Sequence, residues 1–174
     1  MIYRITGYKS YNGSRELLLK TFSESCNILT SQYFMMFLVL HIVFFFIIFS
    51  QWDFMLSLIG KTLSENGIAN CFVKGNVWSR NSAINKFKNG TSSGEDNKVI
   101  MLSLKNAASG TNLTEATHLF FVEPINGSKE EIAAIEGQAI GRACRLGQKQ
   151  KVQLYRVLIK DTIEEDIYNN VYLS

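Results

Sequence analysis

The sequence predicts an α/β domain, a parallel sheet flanked by helices, and three observations carry that expectation. Strand-like and helix-like segments alternate along the chain, which implies crossover connections in a parallel sheet. The strongest strand segments are continuous apolar runs, as expected where helices cover both faces of a sheet. The length of 174 residues fits one domain with a workable core.

Taken in order, the first element lies inside an apolar run from Tyr33 to Phe49, interrupted only by His41. Ile42 to Phe49 supplies a buried strand in full, which leaves Ile28 to His41 in surplus, because a strand needs only about 5–6 residues. The whole run reaches the lower edge of what spans a bilayer, and the preceding Arg4, Lys9, Arg15 and Lys20 would leave the N-terminus cytosolic. The surplus is a membrane anchor through 33–49, an inserted buried element, or a stretch foreign to the functional protein, such as an incorrectly predicted coding segment. We favour the last two, since a span ending at Phe49 would pull the first strand out of its sheet. A signal peptide does not fit: the run starts too late and lacks a small-residue cleavage site. Residues 1–41 are therefore read as an extension and 42–174 as the domain.

Apolar residues at Met55, Leu56, Leu58, Ile59 and Leu63 then mark an amphipathic helix, with Asp53 as its N-cap and Gly67 as its stop. Ile68 to Val73 is a short strand. Ser79 caps a second helix with Ala83, Ile84 and Phe87 inward, and Asn89 to Asn97 is a surface loop. Val99 to Leu102 and Thr117 to Val122 are strands, the latter ended by Pro124, the one proline in the chain. Ser128 to Arg145 is helical in its later part and Val152 to Ile159 is the last strand. Asp161 to Glu165 opens a terminal helix whose acidic first turn complements the helix dipole.

Composition excludes more than it indicates. A net charge of +3 is too small to announce a nucleic-acid protein by electrostatics alone. Cys26, Cys71 and Cys144 lie far apart with no Cys-x-x-Cys, so neither a disulfide framework nor a metal site is read, and reduced thiols are the default. Three cysteines and two histidines cannot build a RING finger. Sequons begin at Asn12, Asn89, Asn112 and Asn126, and they matter only on a secretory route.

The chemistry concentrates in Gln138-Ala-Ile-Gly141-Arg142-Ala-Cys144-Arg145-Leu-Gly-Gln148. Two arginines three residues apart face the same way if the segment is helical, and each guanidinium can donate paired hydrogen bonds to phosphate oxygens. Upstream, Ser103-Leu-Lys105-Asn-Ala107-Ala108-Ser-Gly110-Thr-Asn112-Leu-Thr114 follows a strand, at the carboxyl edge where open parallel sheets bind ligands. Its small residues let the backbone approach a phosphate. His118 has no nearby ligand cluster and reads as a structural or surface imidazole. Cys144 lacks a base to activate it. Gly60-Lys61-Thr62 has no glycine at the spacing a phosphate loop needs and falls within the predicted first helix.

The Gln138–Gln148 stretch closely resembles the last motif of the Swi/Snf-type DNA translocases of helicase superfamily two. The Ser103–Thr114 stretch resembles their fifth motif, with Ala107 and Ala108 where glycines are usual. Phe49-Ser-Gln-Trp52 resembles the opening motif of their second lobe, and His118-Leu-Phe-Phe-Val-Glu123-Pro124 is similar to their strand ending in Asp/Glu-Pro. Glu123 points toward the SHPRH-like ubiquitin-ligase branch, whereas Asn126-Gly127-Ser128 departs from the usual Asn-Pro. The resemblance covers roughly Phe49 to Tyr168 and implies a RecA-like second motor lobe of an ATP-dependent translocase or chromatin remodeller.

It implies roles as well. Arg142 and Arg145 would reach the γ-phosphate, with Arg145 preferred as the arginine finger. Gln138, Gly110 and Gly141 would attend the nucleotide, and Ser103, Lys105 and Asn112 the DNA backbone. ATP and Mg2+ would bind only together with a first lobe carrying the phosphate loop and acidic box, neither of which occurs in this sequence. The polypeptide alone is therefore expected to be inactive. Double-stranded DNA or nucleosomes are the expected partners and the nucleus the expected location. The rival reading is a membrane-anchored or non-enzymatic protein that keeps only the fold. The reading as a whole expects the guanidiniums to turn inward near the sheet's carboxyl edge.

Overall fold

The computed structural model describes residues 3–11, 44–89, 97–106 and 111–173. The surplus apolar segment up to residue 43, residues 90–96 of the expected loop Asn89 to Asn97, and Ala107, Ala108 and Gly110 lie outside them.

The elements are β1 (Tyr3–Tyr11), β2 (Phe46–Ser50), α1 (Asp53–Glu65), β3 (Asn70–Phe72), α2 (Val77–Asn89), β4 (Val99–Ser103), β5 (His118–Phe121), α3 (Lys129–Ile140), β6 (Val152–Ile159) and α4 (Ile163–Tyr172). One sheet runs β1-β6-β5-β2-β4-β3. The five strands from β6 to β3 are mutually parallel, as the alternation predicts. β1 joins as an antiparallel edge along β6, with a register break between Thr6 and Lys9, in a region where no apolar pattern points to a strand.

The core follows from the two-residue period of the strands. Ile47, Phe49, Ile100, Leu102, Leu119 and Phe121 face one side, against Ala83, Ile84 and Phe87 of α2 and Ile132, Ala139 and Ile140 of α3. Phe46, Ile48, Val99, Met101 and Phe120 face the other, against Leu56 and Leu63 of α1. Every residue of β2, β4 and β5 is buried, which explains their continuous apolar character. Gly60 lies in the middle of α1, where an added Cβ would come within 2.8 Å of the Met101 side chain. The Gly-Lys-Thr triplet is thus a helix-packing feature. Among the described residues, no helix is long and apolar enough to cross a membrane.

Several local expectations shift. Trp52, not Asp53, holds the N-cap position of α1, and the aspartate falls in the first turn. The stop at Gly67 holds, with φ +72, a conformation that disfavours any residue with a Cβ. Asn76 rather than Ser79 caps α2, its Oδ1 accepting from the Ser79 N–H at 2.9 Å. α3 starts directly after Ser128, which forms a capping box with Glu131, and it ends at Ile140. The arginine segment is consequently not helical. His118 is buried, hydrogen-bonded to Thr117 at 2.9 Å and stacked with Tyr155, so it is a core imidazole rather than a surface one.

A second fixture holds α3, β6 and α4 together. Arg156 of β6 forms a two-pronged ion pair with Glu136 of α3, at 2.9 and 2.7 Å, and lies 4.3 Å from the Tyr172 ring centroid. The Tyr172 hydroxyl donates to the same carboxylate. Burial works to lower the Arg156 pKa, but the hydrogen bond and charge of Glu136, and then those of the Tyr172 side chain, hold the guanidinium well above its usual range.

Candidate functional site

At the carboxyl edge, two segments far apart in sequence are tied together. Ser50 Oγ donates to Glu123 Oε2 at 2.9 Å, and the Gln51 N–H donates to Glu123 Oε1. Gln51 Nε2 donates to the Pro124 carbonyl at 3.0 Å. The Ser-Gln at the end of β2 and the Glu-Pro after β5 therefore form one joint. Burial pushes the Glu123 carboxyl above its ordinary range, opposed by the bonds from Gln51 and Ser50 and assisted by the charge of Glu164. Gln51, Trp52, Glu123, Pro124, Asn126, Glu164 and Ile167 line a cleft of about 350 Å³ here.

One strand over, β4 ends in Ser103, whose buried hydroxyl has no hydrogen-bond partner among the described residues. Lys105 is exposed, with its ammonium 5.0 Å from the centroid of the Trp52 ring. Asn112 is exposed further along the same connection.

The arginine segment stands elsewhere. Gln148 Nε2 donates to the carbonyls of Thr114 at 2.9 Å and Ala116 at 3.0 Å, residues that lead into the amino end of β5. The Leu113 N–H donates to the Arg142 carbonyl at 2.9 Å. Residues 141–148 thus lie beside the amino end of β5, away from the carboxyl edge that carries Ser103 and Lys105, and this placement corrects the expected one. Because α3 stops at Ile140, the two guanidiniums also diverge. Arg142 is 1% exposed and its Nη1 donates to Thr111 Oγ1 at 2.5 Å. Burial, then the charge of Arg145, lowers the Arg142 pKa from its usual value. Arg145 is solvent-exposed, with its Nε donating to the Gly141 carbonyl at 2.8 Å.

Gly141 ends α3, and an added Cβ would stand 3.0 Å from the Gly137 carbonyl, so the tight exit favours glycine. Gln138 is exposed on α3. Burial raises the Cys144 thiol to about 11, the state of an unreactive cysteine. Thr111 and Gln148 have no role in the sequence reading, yet they dock this turn onto the β4–β5 connection. The signal was partly present, because both lie within the two stretches that carry the chemistry.

The fit to a magnesium nucleotide is one-sided. The described residues contain no group of three or more His, Cys, Asp or Glu side chains placed to hold a metal ion. Gly60-Lys61-Thr62 is helical and cannot cradle phosphates. What does suit a polyphosphate is an exposed guanidinium on a turn whose backbone is fixed from beneath.

A family profile described as the helicase conserved C-terminal domain matches residues 41–147. The DNA (cytosine-5-)-methyltransferase DMT5 of Cryptococcus neoformans var. grubii is 34% identical over 125 residues, 71% of this chain and 5% of that protein. The E3 ubiquitin-protein ligase SHPRH of Homo sapiens is 32% identical over 122 residues, 68% of this chain and 6% of that protein. The chain thus spans only a small part of the length of these relatives. The crystal structure of the C-terminal part of the Fun30 ATPase domain superposes with a TM-score of 0.65 and 25% identity, over 80% of this chain and 43% of the other.

Proposed function

The chain belongs to the helicase conserved C-terminal domain family, in the form found in Swi/Snf-type helicases and remodellers, and from that premise we propose that it serves as the second motor lobe of an ATP-dependent DNA translocase. A first lobe would hold ATP and Mg2+, and lobe closure would bring Arg145 onto the γ-phosphate. There the guanidinium would offset charge that builds as the bond to the leaving group breaks. Arg142 then acts from behind, fixing the turn through Thr111. Lys105 and Asn112, both exposed, meet the DNA backbone, where phosphate contacts supply affinity and salt dependence without sequence preference, and the buried Ser103 hydroxyl supports them from beneath. Gln138, Gly110 and Gly141 attend the nucleotide. Work on double-stranded DNA or nucleosomes, in chromatin remodelling or DNA repair, would place the protein in the nucleus.

The observation that supports this division most is the contrast within the pair: one guanidinium is sealed into the domain and the other exposed on a braced turn. Its exposure and its position off the carboxyl edge depart from the expectation of an inward pair at that edge, a rule that concerns ligands held by a single sheet. A group that reaches a nucleotide held by another lobe need only stand on the facing surface. The test is Arg145→Ala in an enzyme that joins this lobe to a first lobe. DNA-stimulated ATP turnover should fall by about 10³-fold or more, the usual scale for an arginine finger, with DNA affinity largely kept. Unchanged turnover would remove Arg145 from the role.

A further inference from the structure

We propose that Trp52 is a positioning residue, which holds the Lys105 ammonium on its indole face and screens it from the acidic cleft on its other side, so that the charge remains available to a nucleic-acid phosphate. The inference rests on the reading of this edge as the DNA side and deepens it by one residue.

β2 lies between β4 and β5. Ser50 pairs with Ser103 and Phe49 with Phe121. Two residues beyond the ends of these three adjacent strands stand Trp52, Lys105 and Glu123, with the indole in the middle of the row. Trp52 is 57% exposed, so hydrophobic burial does not account for its presence. One side of it carries the Lys105 ammonium at 5.0 Å. It also lines the cleft that holds Glu123 and Glu164. Among the described residues Lys105 makes no ion pair, and β2, which leads into the indole, separates it from Glu123 beyond β5 and from Glu164, whose carboxylate accepts from the Ile159 N–H at the end of β6.

The two alternatives for the ammonium differ in what a phosphate must displace. A cation–π contact at an exposed site is weak and leaves most of the ammonium hydrated. An ion pair at the rim of a half-buried cleft would have to be broken first, and the carboxylates would repel the incoming phosphate as well. An aromatic wall between cation and carboxylates therefore keeps the lysine in place without neutralising it. The joint from Glu123 to Ser50 and Gln51 fixes the residues just before the indole, so the wall has a rigid base.

The experiment uses the 174-residue chain, a duplex DNA probe and NMR of the Lys105 side chain. In the unliganded protein the Lys105 ε-methylene protons should be shifted upfield by the indole ring current, and Trp52→Ala should abolish that shift. Trp52→Ala should weaken duplex binding by about two- to fivefold, with Trp52→Phe recovering most of the loss. In a Lys105→Ala background Trp52→Ala should have no further effect. Adding Glu123→Gln and Glu164→Gln to Trp52→Ala should restore affinity. An unshifted methylene resonance, or an equal loss in the Lys105→Ala background, would overturn the proposal while leaving the DNA reading intact. Failure of the unmodified chain to bind duplex would overturn the DNA reading and this role with it.

Discussion

Replacing Arg142 and Arg145 separately by alanine should split stability from function. Arg142 is sealed, 1% exposed, and its guanidinium donates to Thr111 from the turn into the β4–β5 connection. A hydrogen bond from a charged donor contributes about 1.5–3 kcal/mol, and truncation also leaves the volume of the stem unfilled. Part of this is offset, because the mutation relieves a guanidinium whose burial is costly enough to lower its pKa. A net loss of about 2 kcal/mol remains, which for a chain of this size lowers the melting temperature by about 4–8 °C. Arg145 is exposed, and its Nε bond to Gly141 is replaceable by water, so Arg145→Ala should stay within about 0.5 kcal/mol of the parent. Urea unfolding followed by circular dichroism measures both, with equal slopes required for comparison. If Arg145→Ala destabilises as much as Arg142→Ala, the exposed arginine is a structural residue and the division of labour fails.

The other expectations are independent of DNA. Glu136→Ala leaves Arg156 without its carboxylate in a mostly buried setting, and should cost about 3–5 kcal/mol by thermal unfolding, whereas Glu136→Leu with Arg156→Met should recover most of it. Glu123 has its pKa raised in the fold, so its ionised form is the disfavoured one. Its contribution is fully present below the unfolded value near 4.5 and is lost as pH rises through the higher folded value. Glu123→Gln should therefore stabilise the chain at pH 7, by a margin that shrinks toward pH 4.5. A margin that grows on acidification would contradict the assigned cause. Ser128→Ala removes half of a capping box and should cost about 1 kcal/mol in the same unfolding assay, with Ser128→Asp close to neutral.

Where one physical signal dominated, the sequence was readable. β2, β4 and β5 are buried on both faces, so their apolar runs stood out, and the inner residues of α2 were named correctly because Ala83, Ile84 and Phe87 keep helical spacing. Caps were less legible, since several polar residues compete within one turn: Asn76 won over Ser79 because its side chain reaches the N–H of Ser79, the third residue of the helix. The orientation of the arginines depended on where α3 ends, and a glycine tolerated inside or just beyond a helix leaves that open. β1 had no apolar alternation to announce it, because an edge strand is recognised by its partner's unpaired backbone. The joint from Ser50 and Gln51 to Glu123 spans over seventy residues and follows only from the sheet order.

The antiparallel β1 has a practical consequence for anyone expressing the parallel portion by itself. β6 pairs with β5 on one side and, from Val152 to Ile159, with β1 on the other. Trimming the chain to begin at residue 42 would strip that second side and present a row of amide and carbonyl groups as a template for neighbouring molecules. Such a truncated preparation should self-associate through β6, and charged substitutions at the outward positions of that strand would be the first remedy to try.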